Sequence, residues 1–247
     1  GVSGTGKSKM AELVAEFYST TSGEPKAAAP ATQDASLDGA FAFVPGKGAP
    51  DPSRFALVPV RPDWIDNQSI MGFVNPITNK YESTQALDLM LRASKALEEA
   101  ANKASAPRFF MLLDEMNLAR VEHYFSDWLA CAESRRYQPD GSISQQPIPL
   151  HRHSAATATI IGPGNTATEV NVPSSLEIPT NFIVTGTVNV DETTFGFSPK
   201  VLDRSMVIEF NDVDLEGLRN GVALGATTAF RFPDTLPAFS QIGRAHV

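Results

Sequence analysis

The opening GVSGTGKS of the chain is the feature that most limits what it can fold into. It matches the phosphate-binding loop pattern G-x-x-x-x-G-K-[ST] at every fixed position. The glycines let the main chain approach phosphate oxygens closely, Lys7 adds a positive charge, and the Ser8 hydroxyl is placed to bind Mg²⁺. Apolar residues then recur at helical spacing, so we predict a helix that points its positive end at the anion. Because so short a pattern also arises by chance, a second motif is needed.

The second motif is an apolar run over residues 108–113 that ends in Asp114 and Glu115. Such a run predicts a parallel strand buried on both faces. Two carboxylates at its carboxyl end are compatible with an exposed strand end, but packing explains them poorly. In a phosphate-loop protein, Asp114 is expected to hold the magnesium shell and Glu115 to polarise the attacking water. The two motifs together predict a nucleotide-binding protein.

Two further polar residues follow predicted elements in the second half of the chain. Asn189 ends a second strand that we expect to be buried, over 181–188. There it can orient water beside a γ-phosphate or simply close a turn with Asp191. Arg204 follows a short helix that begins at Pro199, and an ordinary salt bridge is the alternative to a catalytic role. We predict a last strand over 206–210.

The remaining pattern predicts the framework around these residues. We expect a flexible Ala/Pro/Gly-rich insertion over 19–54 and a strand over 55–60 near a sheet edge. We also expect a helix that is capped by Ser83 or Thr84 and runs to about Lys103. We also expect one amphipathic helix over 117–135, whose polar side is either solvated or in contact with a neighbouring subunit, and hairpins over 137–180.

Composition excludes several classes of protein. The 247 residues carry a net charge of −8, which does not indicate a nucleic-acid-binding surface. No apolar run approaches the roughly 20 residues of a membrane span, so we expect no membrane partner. The single cysteine, Cys131, cannot form an internal disulfide and suits a reducing cytosol, so we expect a cytoplasmic protein.

Four motifs in this order resemble those of AAA+ ATPases. They are the loop at 1–8, Leu112-Leu-Asp-Glu-Met-Asn-Leu-Ala119, Thr185-Gly-Thr-Val-Asn189 and Ser198-Pro-Lys-Val-Leu-Asp-Arg204. Within that superfamily the chain looks most like the McrB-type branch, the motor subunits of methylation-dependent restriction systems. The resemblance covers roughly residues 1–19 and 55–210. It implies a three-layer αβα P-loop NTPase with a central parallel sheet, in a homo-oligomeric ring, usually a hexamer.

The resemblance also implies roles for individual residues. The nucleotide would be bound by Gly1, Ser3, Gly4, Thr5, Gly6, Lys7, Ser8 and Lys9. Ser8 and Asp114 would hold Mg²⁺, Glu115 would be the catalytic carboxylate, and Asn189 would match the first sensor residue. Arg204 would be the arginine finger presented to the neighbouring subunit's nucleotide. Residues 64–82 and 137–180 fall where this branch carries inserts that face the pore or a partner.

The resemblance divides the chain into a core and its remainder. We expect an AAA+ core over 1–210, with the first strand and the helical lid missing or truncated. Residues 211–240 would begin an incomplete lid or linker. Residues 241–247 resemble the translation of a sequencing adapter, so we expect a non-native tail.

The expected activity is Mg²⁺-dependent hydrolysis of ATP or GTP by a McrB-like ring motor linked to DNA restriction or defence. A nuclease subunit, and DNA through it, would be its partners. Asp191 follows Asn189 one residue closer than in the McrB pattern, so both nucleotides remain candidates. The alternatives are a MoxR- or midasin-like remodeller of protein complexes and a nucleotide-binding scaffold with little turnover.

Overall fold

A computed structural model describes residues 7–20, 50–139, 142–162, 166–189 and 194–208. The α-helices of these ranges are α1 (Lys7–Thr20), α2 (Gln68–Met71), α3 (Gln85–Glu99), α4 (Val121–Tyr124), α5 (Ser126–Ser134) and α6 (Pro199–Leu202). The strands are β1 (Phe55–Pro59), β2 (Phe73–Val74), β3 (Tyr81–Glu82), β4 (Phe109–Asp114), β5 (Arg136–Tyr137), β6 (Ile143–Ser144), β7 (Ile148–Pro149), β8 (Ala156–Gly162), β9 (Thr166–Val172), β10 (Ser175–Leu176) and β11 (Phe182–Gly186).

The fold is mixed α/β and is organised around a small parallel sheet. Its three described strands run in the order β1-β4-β11, and both pairings are parallel. The three strands predicted over 55–60, 108–113 and 181–188 are therefore confirmed. Pro59 lies at the end of β1, an edge strand among the described residues, as the lack of an N–H donor on proline predicts.

The middle strand, β4, carries the centre of the core. Its residues from Phe109 to Leu113 are all buried, because sheet neighbours lie on both sides and helices α1 and α3 pack against it. Burying one large apolar side chain contributes about 1.5–3 kcal/mol. The expected burial of β11 is confirmed only at Phe182, and Thr185 and Gly186 are exposed where β11 forms the other edge of the described sheet.

The predicted helix after the Thr84 cap exists but is shorter than expected. The Thr84 hydroxyl accepts a hydrogen bond from the Leu87 N–H, which satisfies one of the free donors of the first turn. The helix ends at Glu99 rather than Lys103 because Ala100 is extended. The Asn102 side chain then caps a separate 3₁₀ turn.

The single helix predicted over 117–135 is wrong. The segment begins as a 3₁₀ turn over Met116–Leu118, is extended at Ala119, and then forms α4 and α5 with a break at Phe125. The reason lies in the buried Asn117, whose side chain hydrogen-bonds two backbone carbonyls of residues after β11. This tertiary contact keeps the first turn from joining the α-helix that follows. The spacing of apolar residues along the chain did not predict it.

The hairpins predicted over 137–180 are confirmed. Three antiparallel pairs lie there: β5 with β6, β7 with β10, and the longer β8 with β9. A further hairpin, β2 with β3, lies within the segment 64–82. The turn residues 140–141 and 163–165 lie outside the described residues.

Predictions for the two ends are confirmed in part. Helix α1 follows the phosphate-binding loop pattern, and α6 begins at Pro199, where the missing N–H costs nothing. The strand predicted over 206–210 is not formed over 206–208, whose apolar side chains are exposed with no described strand beside them. Residues 1–6, 21–49, 190–193 and 209–247 lie outside the described residues. None of the described helices has the length and apolar content that a membrane span requires.

Candidate functional site

The candidate site lies at one edge of the sheet, where the start of α1 meets the carboxyl ends of β4 and β11. Parallel strands bring their carboxyl ends to the same edge, so residues distant in sequence converge there. The Ser8 hydroxyl donates to Oδ1 of Asp114 at 2.8 Å, and the Lys7 amine donates to Oδ1 of Asn189 at 2.7 Å. Four residues singled out from sequence are thus in direct contact as two pairs.

Asp114 is held by two hydroxyl groups. Its Oδ1 accepts from Ser8 and, at 2.6 Å, from the Thr187 hydroxyl on the segment after β11. Thr187 is only 5% exposed, so this bond is shielded from water. The same hydroxyl oxygen accepts from the Glu115 N–H at 2.9 Å. Thr187 therefore joins the side chain of Asp114 to the backbone of the next residue.

Glu115 adopts a conformation that is unusual for a glutamate. Its φ of 53° and ψ of 48° lie in the left-handed helical region, which costs a residue with a side chain about 1–2 kcal/mol. The bond from its N–H to Thr187 helps to offset that cost. The turn leaves the Glu115 side chain exposed at the end of an otherwise buried strand. Its Oε1 lies 3.4 Å from Nδ2 of Asn189, a long contact that connects Glu115 to the Lys7–Asn189 pair.

Two predicted residues point away from this cluster. Arg204 forms a salt bridge with Glu133 and also donates to the Lys200 carbonyl, so it does not reach the Asp114–Glu115 edge. Lys9 pairs with Glu12 on the exposed side of α1 at 3.1 Å. The predicted residues Gly1, Ser3, Gly4, Thr5 and Gly6 lie outside the described residues.

Sequence reasoning missed Thr187 and Asn117. Thr187 precedes Asn189 by two positions, and Asn117 follows Glu115 by two, so their closeness to polar strand ends was the available signal. Neither residue type is distinctive at such a position. Only the pairing of β4 with β11 reveals that both bridge the two strand ends.

The oxygen atoms of Ser8 and Asp114 are suitable ligands for Mg²⁺. Magnesium prefers hard oxygen donors and commonly uses one or two carboxylates, with water and substrate phosphates completing its shell. Among the described residues no group of three or more His, Cys, Asp or Glu side chains is placed to hold a metal ion. A hydroxyl and a carboxylate oxygen suit magnesium better than zinc, which is mostly held by nitrogen and sulfur ligands in proteins.

Comparison with known proteins adds no identification. A scan against models of protein families found no match, and a search of curated proteins also found none. The assignment of a function therefore depends on the motifs and the contacts described above.

Proposed function

We propose that this chain is an AAA+-type NTPase subunit that hydrolyses ATP or GTP with Mg²⁺. The observation that carries the proposal is the contact between the two motifs: Ser8 of the loop pattern touches Asp114 at the end of a buried parallel strand. The two residues lie 106 positions apart in sequence. A magnesium–phosphate site requires both groups at one place.

Each residue of the cluster has a distinct task in the proposed reaction. Lys7 presents its charged amine to the terminal phosphates, and Ser8 and Asp114 provide the protein oxygens for Mg²⁺. Bound magnesium neutralises charge on the phosphate oxygens. Thr187 holds Asp114 in place through the hydroxyl contact described above.

Glu115 and Asn189 are placed to act on the attacking water. The left-handed turn directs the Glu115 carboxylate into solvent beside Asn189, so that it can accept a hydrogen bond from water and increase the nucleophilicity of its oxygen. The amide of Asn189 can donate to the same water or to phosphate. We infer from these roles that loss of the Glu115 charge strongly reduces turnover while leaving binding intact.

Arg204 enters the proposal through the subunit interface of a ring. In its own subunit it is bound to Glu133, so a role at a neighbour's nucleotide requires this salt bridge to open. The guanidinium would then neutralise charge on the transferred phosphoryl group. By resemblance to McrB-type motors, we propose that the ring works in DNA restriction or defence with a separate nuclease subunit.

Nucleotide hydrolysis by the full-length protein tests the proposal. ATP and GTP are compared in parallel for the wild type, Glu115→Gln and Arg204→Ala, and Glu98→Gln on the exposed side of α3 is the charge-matched control. Glu115→Gln is expected to bind nucleotide but to lose about 10²- to 10⁴-fold in kcat. Glu98→Gln should retain wild-type turnover.

Arg204→Ala is also expected to lose turnover, because its neighbour's nucleotide lacks the guanidinium. Mixing the two variants tests whether the site is shared between subunits. Arg204→Ala subunits keep Glu115, and Glu115→Gln subunits keep Arg204, so mixed rings should regain part of the turnover. A wild-type ring that binds nucleotide without hydrolysing it would contradict the motor and favour the scaffold. Hydrolysis without recovery on mixing would contradict the shared site alone.

A further inference from the structure

We propose that Asn117 is a positioning residue that holds Asn189 beside Glu115. This inference rests on the proposed function, because its consequence is the rate of hydrolysis. Asn117 lies two positions after Glu115 in the 3₁₀ turn that ends β4. Its side chain is buried, so it would act through the residues that it anchors.

The Asn117 anchor consists of three hydrogen bonds that connect Asn117 with Asn189 and Phe195. Nδ2 of Asn117 donates to the Asn189 carbonyl at 2.7 Å and to the Phe195 carbonyl at 3.2 Å. The Phe195 N–H donates back to the Asn117 carbonyl at 3.0 Å. Asn117 thus holds the described residues on both sides of 190–193 against the turn that carries Glu115.

Burial makes this anchor specific. Asn117 is 2% exposed, and its Oδ1 has no hydrogen-bond partner among the described residues. An unpaired buried polar atom is destabilising, so an apolar residue would be better at this position if packing were its only role. The amide is useful because its NH₂ group can donate to two carbonyls at once.

Adjacent contacts leave little room for the two strand ends to move apart. The Met116 N–H donates to the Thr187 carbonyl at 2.8 Å. A Cβ added at Gly186 would lie 2.5 Å from Sδ of Met116, so β11 and the turn are already in close contact. Loss of the Asn117 anchor should therefore displace Asn189 from Glu115 rather than unfold the sheet.

The chain provides a matched control in Asn181, at the opposite end of β11. Asn181 is 4% exposed, and its Nδ2 also donates to two backbone carbonyls, those of Ala93 and Pro107. Its Oδ1 is likewise buried without a partner. Asn117→Ala and Asn181→Ala therefore remove the same chemistry from a buried site, but only the first lies at the proposed catalytic edge.

The experiment compares these two variants in the full-length protein. For Asn117→Ala we expect kcat to fall roughly 10- to 100-fold, with the nucleotide Kd nearly unchanged. A loss of this size is typical for residues that hydrogen-bond to the groups in direct contact with a ligand and so orient them. Amide hydrogen exchange without nucleotide should become roughly 10-fold faster at residues 186–189 and 194–196. Asn181→Ala should lose similar thermal stability but keep kcat and the exchange rates of those residues.

A third variant keeps the test decisive if Asn117→Ala does not fold. Thr194→Val removes a second side-chain donor to the Asn189 carbonyl, from a partly exposed position, and should lower kcat in the same direction. Equal loss of kcat in Asn117→Ala and Asn181→Ala, or no loss in Asn117→Ala and Thr194→Val, would overturn the inference. If the wild type itself does not hydrolyse nucleotide, the proposed function fails together with the catalytic consequence. Unchanged exchange at residues 186–189 and 194–196 in Asn117→Ala would refute the anchor separately.

Discussion

The side-chain amine of Lys7 donates a hydrogen bond to Oδ1 of Asn189 at 2.7 Å, across 182 positions of sequence. Lys7 begins α1, and Asn189 follows β11, so this bond joins the start of a helix to the end of a parallel strand. Its neighbour, Ser8, makes the corresponding bond to Asp114 after β4. The first turn of α1 is therefore fastened to two adjacent strand ends at once.

Replacement of Lys7 tests whether its amine serves phosphate binding. Lys7→Ala is expected to weaken ATP or GTP binding roughly 10- to 100-fold, the loss of one charge-assisted hydrogen bond. Titration of a fluorescent nucleotide with the full-length protein measures the affinity. Lys95→Ala removes the same charge from an exposed i,i+4 pair on α3 and should bind as the wild type does. Equal affinity of the wild type and Lys7→Ala would refute this role.

Thr187 should set the magnesium requirement of the site. Thr187→Val keeps the shape of the side chain but removes the hydroxyl that donates to Asp114 and accepts from Glu115. We expect the Mg²⁺ concentration for half-maximal hydrolysis to rise roughly 10-fold, and Thr187→Ser to restore most of the difference.

A second threonine–carboxylate pair controls for the loss of a hydroxyl. Thr157 donates to Glu169 at 2.9 Å on the exposed face of the β8–β9 hairpin. Thr157→Val should therefore leave the magnesium dependence unchanged. A magnesium requirement that is the same in Thr187→Val and Thr157→Val would contradict the prediction.

The salt bridge between Glu133 and Arg204 should depend on pH. The hydrogen bond from Arg204 lowers the pKa of Glu133 below its ordinary value of 4.5, and the charges of Arg204, Lys200 and Arg136 add to that effect. Because the folded-state pKa is lowered, the stabilisation is fully present above pH 4.5 and is lost as the pH falls through the lowered pKa. Residue-assigned carboxyl NMR should show the Glu133 pKa rising toward 4.5 in Arg204→Ala. An unchanged titration in that variant would mean that the two side chains are not paired in solution.

Gly72 should be irreplaceable at the start of the β2–β3 hairpin. Its φ of 85° and ψ of −173° are open almost exclusively to glycine, and an added Cβ would lie 2.2 Å from the Glu82 carbonyl oxygen. Gly72→Ala is expected to cost about 2 kcal/mol or more in the free energy of unfolding, a fall in Tm of roughly 4–8 °C. In Gly196→Ala the added Cβ meets nothing within 4 Å, so its Tm should be close to that of the wild type. Similar melting of the two variants would refute the steric argument.

Local sequence pattern was sufficient to predict a helix or strand where residues within that element or next to it determine its conformation. The apolar run before Asp114 can be buried only as a central strand, and the Thr84 cap and Pro199 begin helices through bonds within a few residues. The prediction from local pattern failed where residues distant in sequence form hydrogen bonds that alter the local backbone. The first turn of the expected helix over 117–135 is not α-helical, because the buried Asn117 side chain binds the carbonyls of Asn189 and Phe195.

The sequence by itself therefore determined the parallel strands, the helix after the loop pattern, and the types of residue that a magnesium–phosphate site needs. Only the tertiary structure decided which of them meet. Pairing of β11 with β4 brings Asn189, Thr187 and Asn117 to the Asp114–Glu115 edge, and it leaves Arg204 with Glu133 instead. The physical reason is that strand order and register are set by long-range burial, whereas periodicity and capping report only on neighbours along the chain.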